Sequence, residues 1–190
     1  MKNESLKFLY GGAEIQLPAE TIVRNWLESL KPATSAGSWI SAPAIGQPWQ
    51  GGINAGLVRG ADGVPDYFLI VSEPSAHLDG IQWGAQGEDE PGARCLWDGA
   101  ANTRALLSSA HSHPAAEQVA ALSCGSFADW YLPARRELSI AYGNVPELFK
   151  PAWYWSSTQY SADDAYEQSF YDGYQSNSSK GARARAFAVR

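Results

Sequence analysis

The stretch WYWSSTQYSADDAYEQSFYDGYQSNSSKGARARAFAVR, residues 153–190, decides how the rest of the chain is read. Its opening, 153–158, is aromatic and β-prone and predicts a strand entering a turn. AYEQSFY (165–171) then alternates, and AspGly at 172–173 separates it from YQSNSS (174–179). AspGly between alternating runs predicts a hairpin closed by a type I′ turn, because both residues tolerate positive φ. ARARAFAVR (182–190) alternates strictly: Ala182, Ala184, Ala186 and Ala188 share one face, and Arg183, Arg185, Phe187 and Val189 the other. That pattern predicts a terminal strand returning into a sheet. The polar run 168–181 is therefore anchored at both ends and is not a frayed tail.

Working upstream, LPARRELSIAY (132–142) predicts a helix with Pro133 near its first position, and AAEQVAAL (115–122) a shorter one. Residues 81–103 carry Gly, Pro and charge without a period, so they read as a long irregular segment packed by Trp83 and Trp97. YFLIVS (67–72) is the best buried strand. Residues 1–50 read as a separate small unit: LKFLY as a strand, then a helix over 18–30 with Pro18 in its first turn and Ile22, Val23, Trp26, Leu27 and Leu30 at helical spacing, then a Gly/Pro/Ser-rich linker.

Composition narrows the function. At 190 residues and 45% apolar content the chain is long enough for a substantial core. Eight Trp and nine Tyr are many, and both types dominate contact surfaces as well as cores. A net charge of -6 argues against nucleic acids and acidic membranes as partners. Lys180, Arg183, Arg185 and Arg190 form a local basic exception and read as a solvated strand face. Cys95 and Cys124 are too few for a disulfide scaffold and read as free thiols, although the sequence leaves their pairing open. No apolar run near residue 1 suits a signal peptide or membrane span, so synthesis in the cytoplasm without a signal is the expectation.

HSHPAAEQVAALSCGSFAD (111–129) comes close to the zinc signature of JAMM-type metalloproteases, in which HisSerHisPro precedes Ser-x-x-Asp by seven residues. Here the spacer runs from Ala115 to Gly125, one helical turn too long. An extra turn would displace Asp129 by about 5–6 Å along a helix axis. Metal coordination tolerates about 0.2 Å. The enzymatic alternative, a zinc-dependent hydrolase using His111 and His113, rests on this motif. Asp163, Asp164 and Asp172 lack the ligand rhythm of a calcium loop.

DWYLPARREL (129–138), YWSST (154–158), FYDG (170–173) and RARAFAVR (183–190) occur in an order that resembles the C-type-lectin-like domain of phage and prophage tail-associated proteins. The same order is similar to the Lcl-type C-terminal domain and to the variable proteins of diversity-generating retroelements. WGAQGEDEPGARCLWDGAANT (83–103) resembles the phage-linked branch, and the resemblance covers residues 55–190. It implies an α+β, C-type-lectin-like fold with short antiparallel sheets, two or more short helices and long irregular loops. The ligand-binding domain would span 51–190, behind an N-terminal adaptor or oligomerisation segment, 1–50. Trp130, Leu132, Trp153 and Trp155 would be structural.

The resemblance further implies a non-enzymatic binding module: a tail-fibre receptor-binding protein of a virion or prophage, taking a host cell-surface protein or glycan, with no cofactor or metal assigned; the sequence leaves open monomer or homo-oligomer such as a trimer, and a need for calcium. The Tyr, Ser, Gly and Asn of residues 159–180 have the composition of an antibody paratope. The contact candidates are Tyr160, Asp163, Asp164, Tyr166, Glu167, Tyr171, Tyr174, Ser176, Asn177 and Ser178. Tyr, Ser, Asp and Asn, dense in this segment, are reachable by adenine-directed mutation of an Asn codon, as retroelement diversification would require. Formylglycine-generating enzymes share the broad fold but use C-terminal cysteines, and no Cys follows residue 124. An intracellular protein that captures a host factor with the same face is a third reading.

Overall fold

A computed structural model describes residues 5–10, 13–18, 42–124 and 126–190. The chain divides into two compact units, Met1–Ser41 and Ala42–Arg190. In the first, β1 (Ser5–Tyr10) pairs antiparallel with β2 (Ala13–Pro18) in a register running from Ser5↔Pro18 to Tyr10↔Ala13. Pro18 therefore ends a strand and does not open a helix. Proline is tolerated there because a terminal strand position need not donate to the ladder. The remainder of the 18–30 helix lies outside the described residues.

The second unit is α+β. It holds a three-stranded antiparallel sheet, β3 (Pro48–Trp49), β4 (Gly52–Val58) and β5 (Tyr67–Val71), in that order. A five-stranded sheet has the order β6-β10-β7-β8-β9, from β6 (Leu78–Gln82), β7 (Trp153–Gln159), β8 (Asp164–Ser169), β9 (Gln175–Ser179) and β10 (Arg183–Ala186). All its neighbours are antiparallel except β10 and β7, which run parallel. Three helices accompany the sheets: α1 (Gly99–Leu107), α2 (Pro114–Ala120) and α3 (Arg135–Asn144). No described helix is long and apolar enough to cross a membrane.

Strand alternation divides the core in two. Trp155, Ala184, Ala186 and Ala188 join Trp83, Leu106, Val119, Trp130 and Leu132 on one side. Tyr154, Phe187 and Val189 join Leu69, Val71, Leu138 and Phe170 on the other. The alternation of 182–190 thus feeds two cores. The strand itself is short: beyond Ala186 the chain makes single bridges, Val189 with Val71 and with Tyr131. The buried tryptophans satisfy their indole N–H groups on backbone carbonyls, Trp83 on Ser156 O at 2.7 Å and Trp155 on Ile81 O at 2.9 Å.

Four local expectations need correcting. α3 starts at Arg135, so Pro133 precedes the helix; its carbonyl instead accepts the Ser157 N–H at 2.7 Å. The segment 81–103 is not wholly irregular, because Asp98 accepts the Ala101 N–H at 2.7 Å and caps α1. The β8–β9 connection is not a two-residue I′ turn. Ser169 N–H bonds Tyr174 O, Gly173 N–H bonds Ser169 O, and within the connection positive φ falls on Gly173 alone. The longer loop lets Phe170 reach the core, with ring centroids 4.3 Å from Phe149 and 4.7 Å from Tyr154. Trp153 is not core: it is 38% exposed at the start of β7, whereas Trp130, Leu132 and Trp155 are buried.

Candidate functional site

The candidate surface is the β8–β9 hairpin with its tip and the preceding loop, residues 160–163. Register assigns its faces. Tyr166 pairs with Asn177 and Gln168 with Gln175, so these four share one face. Glu167 with Ser176, and Ala165 with Ser178, share the other. The predicted contact residues therefore form no single face. They are spread over two faces and the tip.

At the tip Tyr171 is 78% exposed and Tyr174 64% exposed. Tyr174 meets Trp153 edge-on, at 6.3 Å between centroids. At the other end Tyr160, 50% exposed, meets Tyr166 edge-on at 5.2 Å. The Arg135 guanidinium lies 4.4 Å from the Tyr166 ring centre and donates to Gln175 Oε1 at 2.7 Å, so α3 braces this face. Asp163 is exposed, and its carbonyl accepts the Lys180 N–H at 2.8 Å. The Asp164 carbonyl accepts from Tyr160 N–H and Ser161 N–H, which shapes the loop. Ser176, Asn177 and Ser178 are half-buried.

Glu167 differs from the rest. It is only 7% exposed, and the Ser178 hydroxyl donates to its Oε1. Burial raises its carboxyl above the usual range. It supports the hairpin from within. Lys180 is not solvated but fully buried: Nζ donates to Glu88 O at 2.6 Å and Gln159 Oε1 at 2.7 Å, 4.9 Å from the Trp83 ring centre. Burial lowers its ammonium below the usual value, against the pull of nearby carboxylates led by Glu90. Arg185 and Arg190 are likewise engaged, with Asp79 and Asp129. Of the basic set, Arg183 is exposed.

Sequence reasoning missed Trp153, Arg135 and Gln175 as parts of this surface. Strand register would have found Gln175, since it directly faces Gln168. Nothing local marks Arg135, which belongs to a helix about forty positions away from its partner.

The zinc motif comes apart in three dimensions. His113 is buried with Nε2 3.0 Å from Glu90 Oε1, which also accepts the Ser109 hydroxyl at 2.6 Å. Asp129 forms a two-pronged ion pair with Arg190 at 2.7 and 2.8 Å. No group of three or more His, Cys, Asp or Glu poised for a metal occurs among the described residues. Cys95 and Cys124 are free thiols.

A separate cleft of about 280 Å³ is lined by Tyr67, Phe68, Trp97, Tyr131 and Glu137 among others. Glu137 accepts from the Tyr67 and Tyr131 hydroxyls at 2.6 and 2.7 Å, and from Ala134 N–H and Gly99 N–H at 2.6 and 3.2 Å. One carboxylate thereby ties the starts of α1 and α3 to β5. Burial raises its pKa to about 7 despite these donors. Fully partnered, it has no acceptor capacity turned towards a substrate, and its geometry is that of a structural clamp.

No protein-family model and no curated protein matches the chain.

Proposed function

We propose that the chain is a non-enzymatic binding module of C-type-lectin-like fold, carried as the receptor-binding part of a phage or prophage tail fibre. The β8–β9 hairpin and its tip would take a host cell-surface protein or glycan. One observation carries this reading: Tyr160, Tyr171 and Tyr174 stand exposed around a hairpin whose neighbouring strand β7 is buried from Tyr154 to Gln159. Large amphipathic side chains on a rigid frame lose little entropy on binding and supply most of the energy at recognition surfaces. The order of the C-terminal motifs supports the lectin-like part of the proposal.

The test is direct. Labelled protein is titrated onto bacterial cells and their isolated envelopes. Tyr171→Ala/Tyr174→Ala abolishes saturable binding while circular dichroism and melting stay unchanged. Unchanged binding by the folded variant would refute the assignment. Retroelement diversification is part of the proposal. The DNA around the gene is expected to hold a near-copy of the last ~40 codons, differing at adenines, beside a reverse transcriptase, since the Tyr, Ser, Asp and Asn dense in this segment are reachable by adenine-directed mutation of an Asn codon.

A further inference from the structure

Strand β9 is an open sheet edge, and this points to a mode of recognition. In an antiparallel ladder, directly opposed residues alternate between pairs that exchange hydrogen bonds and pairs that turn these groups outward. Ser169 N–H on Tyr174 O and Lys180 N–H on Asp163 O fix the phase at both ends of the β8–β9 ladder. Ser176 and Ser178 therefore bond inward to β8. Gln175, Asn177 and Ser179 turn N–H and C=O away from it. Ser179 O accepts the Ala182 N–H. Among the described residues, the N–H and C=O of Gln175 and the N–H of Asn177 have no backbone partner. Asn177 O has only a 3.5 Å contact from the Ser176 hydroxyl.

Sheet edges are ordinarily blunted, and the other edges of this unit are. β6 carries Asp79 and a positive-φ Gly80, and its register with β10 is broken by a bulge. β3 is two residues long and begins with Pro48. The outer side of β5 is occupied, with Ile70 N–H on Arg190 O and Ser72 N–H on Ala188 O. β9 has none of these devices. Its sequence, QSNSS, has no charge and no Pro, and its register with β8 is unbroken over all five residues. Exposed carboxylates, Asp163 and Asp172, stand beyond its ends, while the cations beside the strand are already engaged, Arg135 on Gln175 Oε1 and Lys180 on Glu88 O and Gln159 Oε1. Hydrogen bonds led by the Ser169 hydroxyl hold Asp172 below the usual carboxylate range.

We propose that β9 takes an extended segment of a partner protein as an added antiparallel strand, and that this segment carries a basic residue at each end. Gln175 and Asn177 supply the main-chain bonds. Asp163 and Asp172 select the charges, which lie roughly 13–20 Å apart at the ends of a strand of five to seven residues. Tyr174 and Trp153 flank one end. The inference rests on the reading of this hairpin as the binding surface and narrows its ligand to a protein.

The probe is a seven-residue peptide of alternating Thr and Val with Lys at both ends, titrated into isotopically labelled full-length protein. Binding with slowed exchange of the Gln175 and Asn177 amide protons is expected. Methylating the peptide's backbone nitrogens along one edge, or exchanging its Lys for Glu, weakens binding at least tenfold. Asn177→Pro does the same while leaving the inward ladder intact, because its N–H faces outward. Should that variant not fold, the methylated peptide tests the point on the unaltered protein.

No binding, equal binding of the methylated peptide, or protection elsewhere would overturn the proposal. So would a dimer in sedimentation that Asn177→Pro dissolves, since the edge would then belong to a second copy. If the double tyrosine variant loses cell binding while Asn177→Pro keeps it, strand addition fails and the broader assignment stands. If neither variant loses it, both fail.

Discussion

Tyr171 and Tyr174 illustrate how a single residue type serves two purposes in this chain. Tyr154 and Tyr131 spend their rings on the core, whereas these two sit in solvent at the hairpin tip. Tyr171→Ala is expected to change stability by less than about 0.5 kcal/mol, measured by denaturant melts, because it removes an exposed ring. Glu137 is the opposite case. Glu137→Ala leaves two tyrosine hydroxyls and two helix-start N–H groups without their acceptor. It is expected to cost about 3 kcal/mol or more. The same residue sets a pH slope. Its folded pKa, about 7, stands above the unfolded value near 4.5, so between those values the folded chain keeps a proton the unfolded chain has lost. Stability from this group falls as pH rises through that window. His77 acts in the reverse sense: burial lowers it from 6.5 to about 4, so its contribution falls as pH drops through the same range. Glu137→Gln should therefore unmask a stability that rises with pH from about 4 to 6.5, read from melts across that range. The exposed tyrosines and the buried tryptophans Trp130 and Trp155 were legible in sequence. Lys180 and Glu167 were not, because burial of a long or charged side chain depends on partners remote in sequence, here Glu88, Gln159 and Ser178; nor was the exposure of Trp153, which starts β7 beside Tyr174 of the hairpin tip.

The element that decides the site is the β8–β9 hairpin. Its strands were legible from alternation, and so was the turn's location. The turn's type was not, because Phe170 is drawn into the aromatic cluster and lengthens the connection. Gly173 carries φ +81°, and a Cβ there would lie 2.5 Å from Tyr142 Cε1. Gly173→Ala is expected to destabilise by about 1–2 kcal/mol and to loosen the tip, visible as faster amide exchange at residues 170–174. The far end of the hairpin is held by Lys180. Lys180→Met removes donors from Glu88 O and Gln159 Oε1 and should cost about 1–3 kcal/mol. Amide exchange should quicken in residues 84–90, which Lys180 ties down. α1 escaped the sequence reading because its apolar spacing is weak; Asp98 was the available signal, a capping residue ahead of an Ala-rich run.

At the scale of the molecule, two cores on either side of one sheet give the hairpin a stiff base. β10 enters between β6 and β7, one strand removed from the β8–β9 hairpin. The return of the terminal strand was legible from periodicity, and the α+β class was what the family resemblance implied. The sheet order was not, because the parallel β10–β7 neighbour joins segments whose pairing no local pattern encodes. If the hairpin is diversified, the rewritten codons should be those of Tyr160, Tyr171, Tyr174 and Ser176. Ser156, Ser157 and Ser169 are buried and should stay fixed. Comparing the gene with its near-copy checks this. Residues 42–190, expressed alone, should unfold cooperatively and keep ligand binding, as circular dichroism and titration would report. The most direct measurement of the central claim is the binding isotherm of Tyr171→Ala/Tyr174→Ala on cell envelopes, taken beside its melting curve. Saturable binding lost at an unchanged melting temperature is the expected result. Undiminished binding by the intact variant, or collapse of its fold, would place the recognition surface elsewhere.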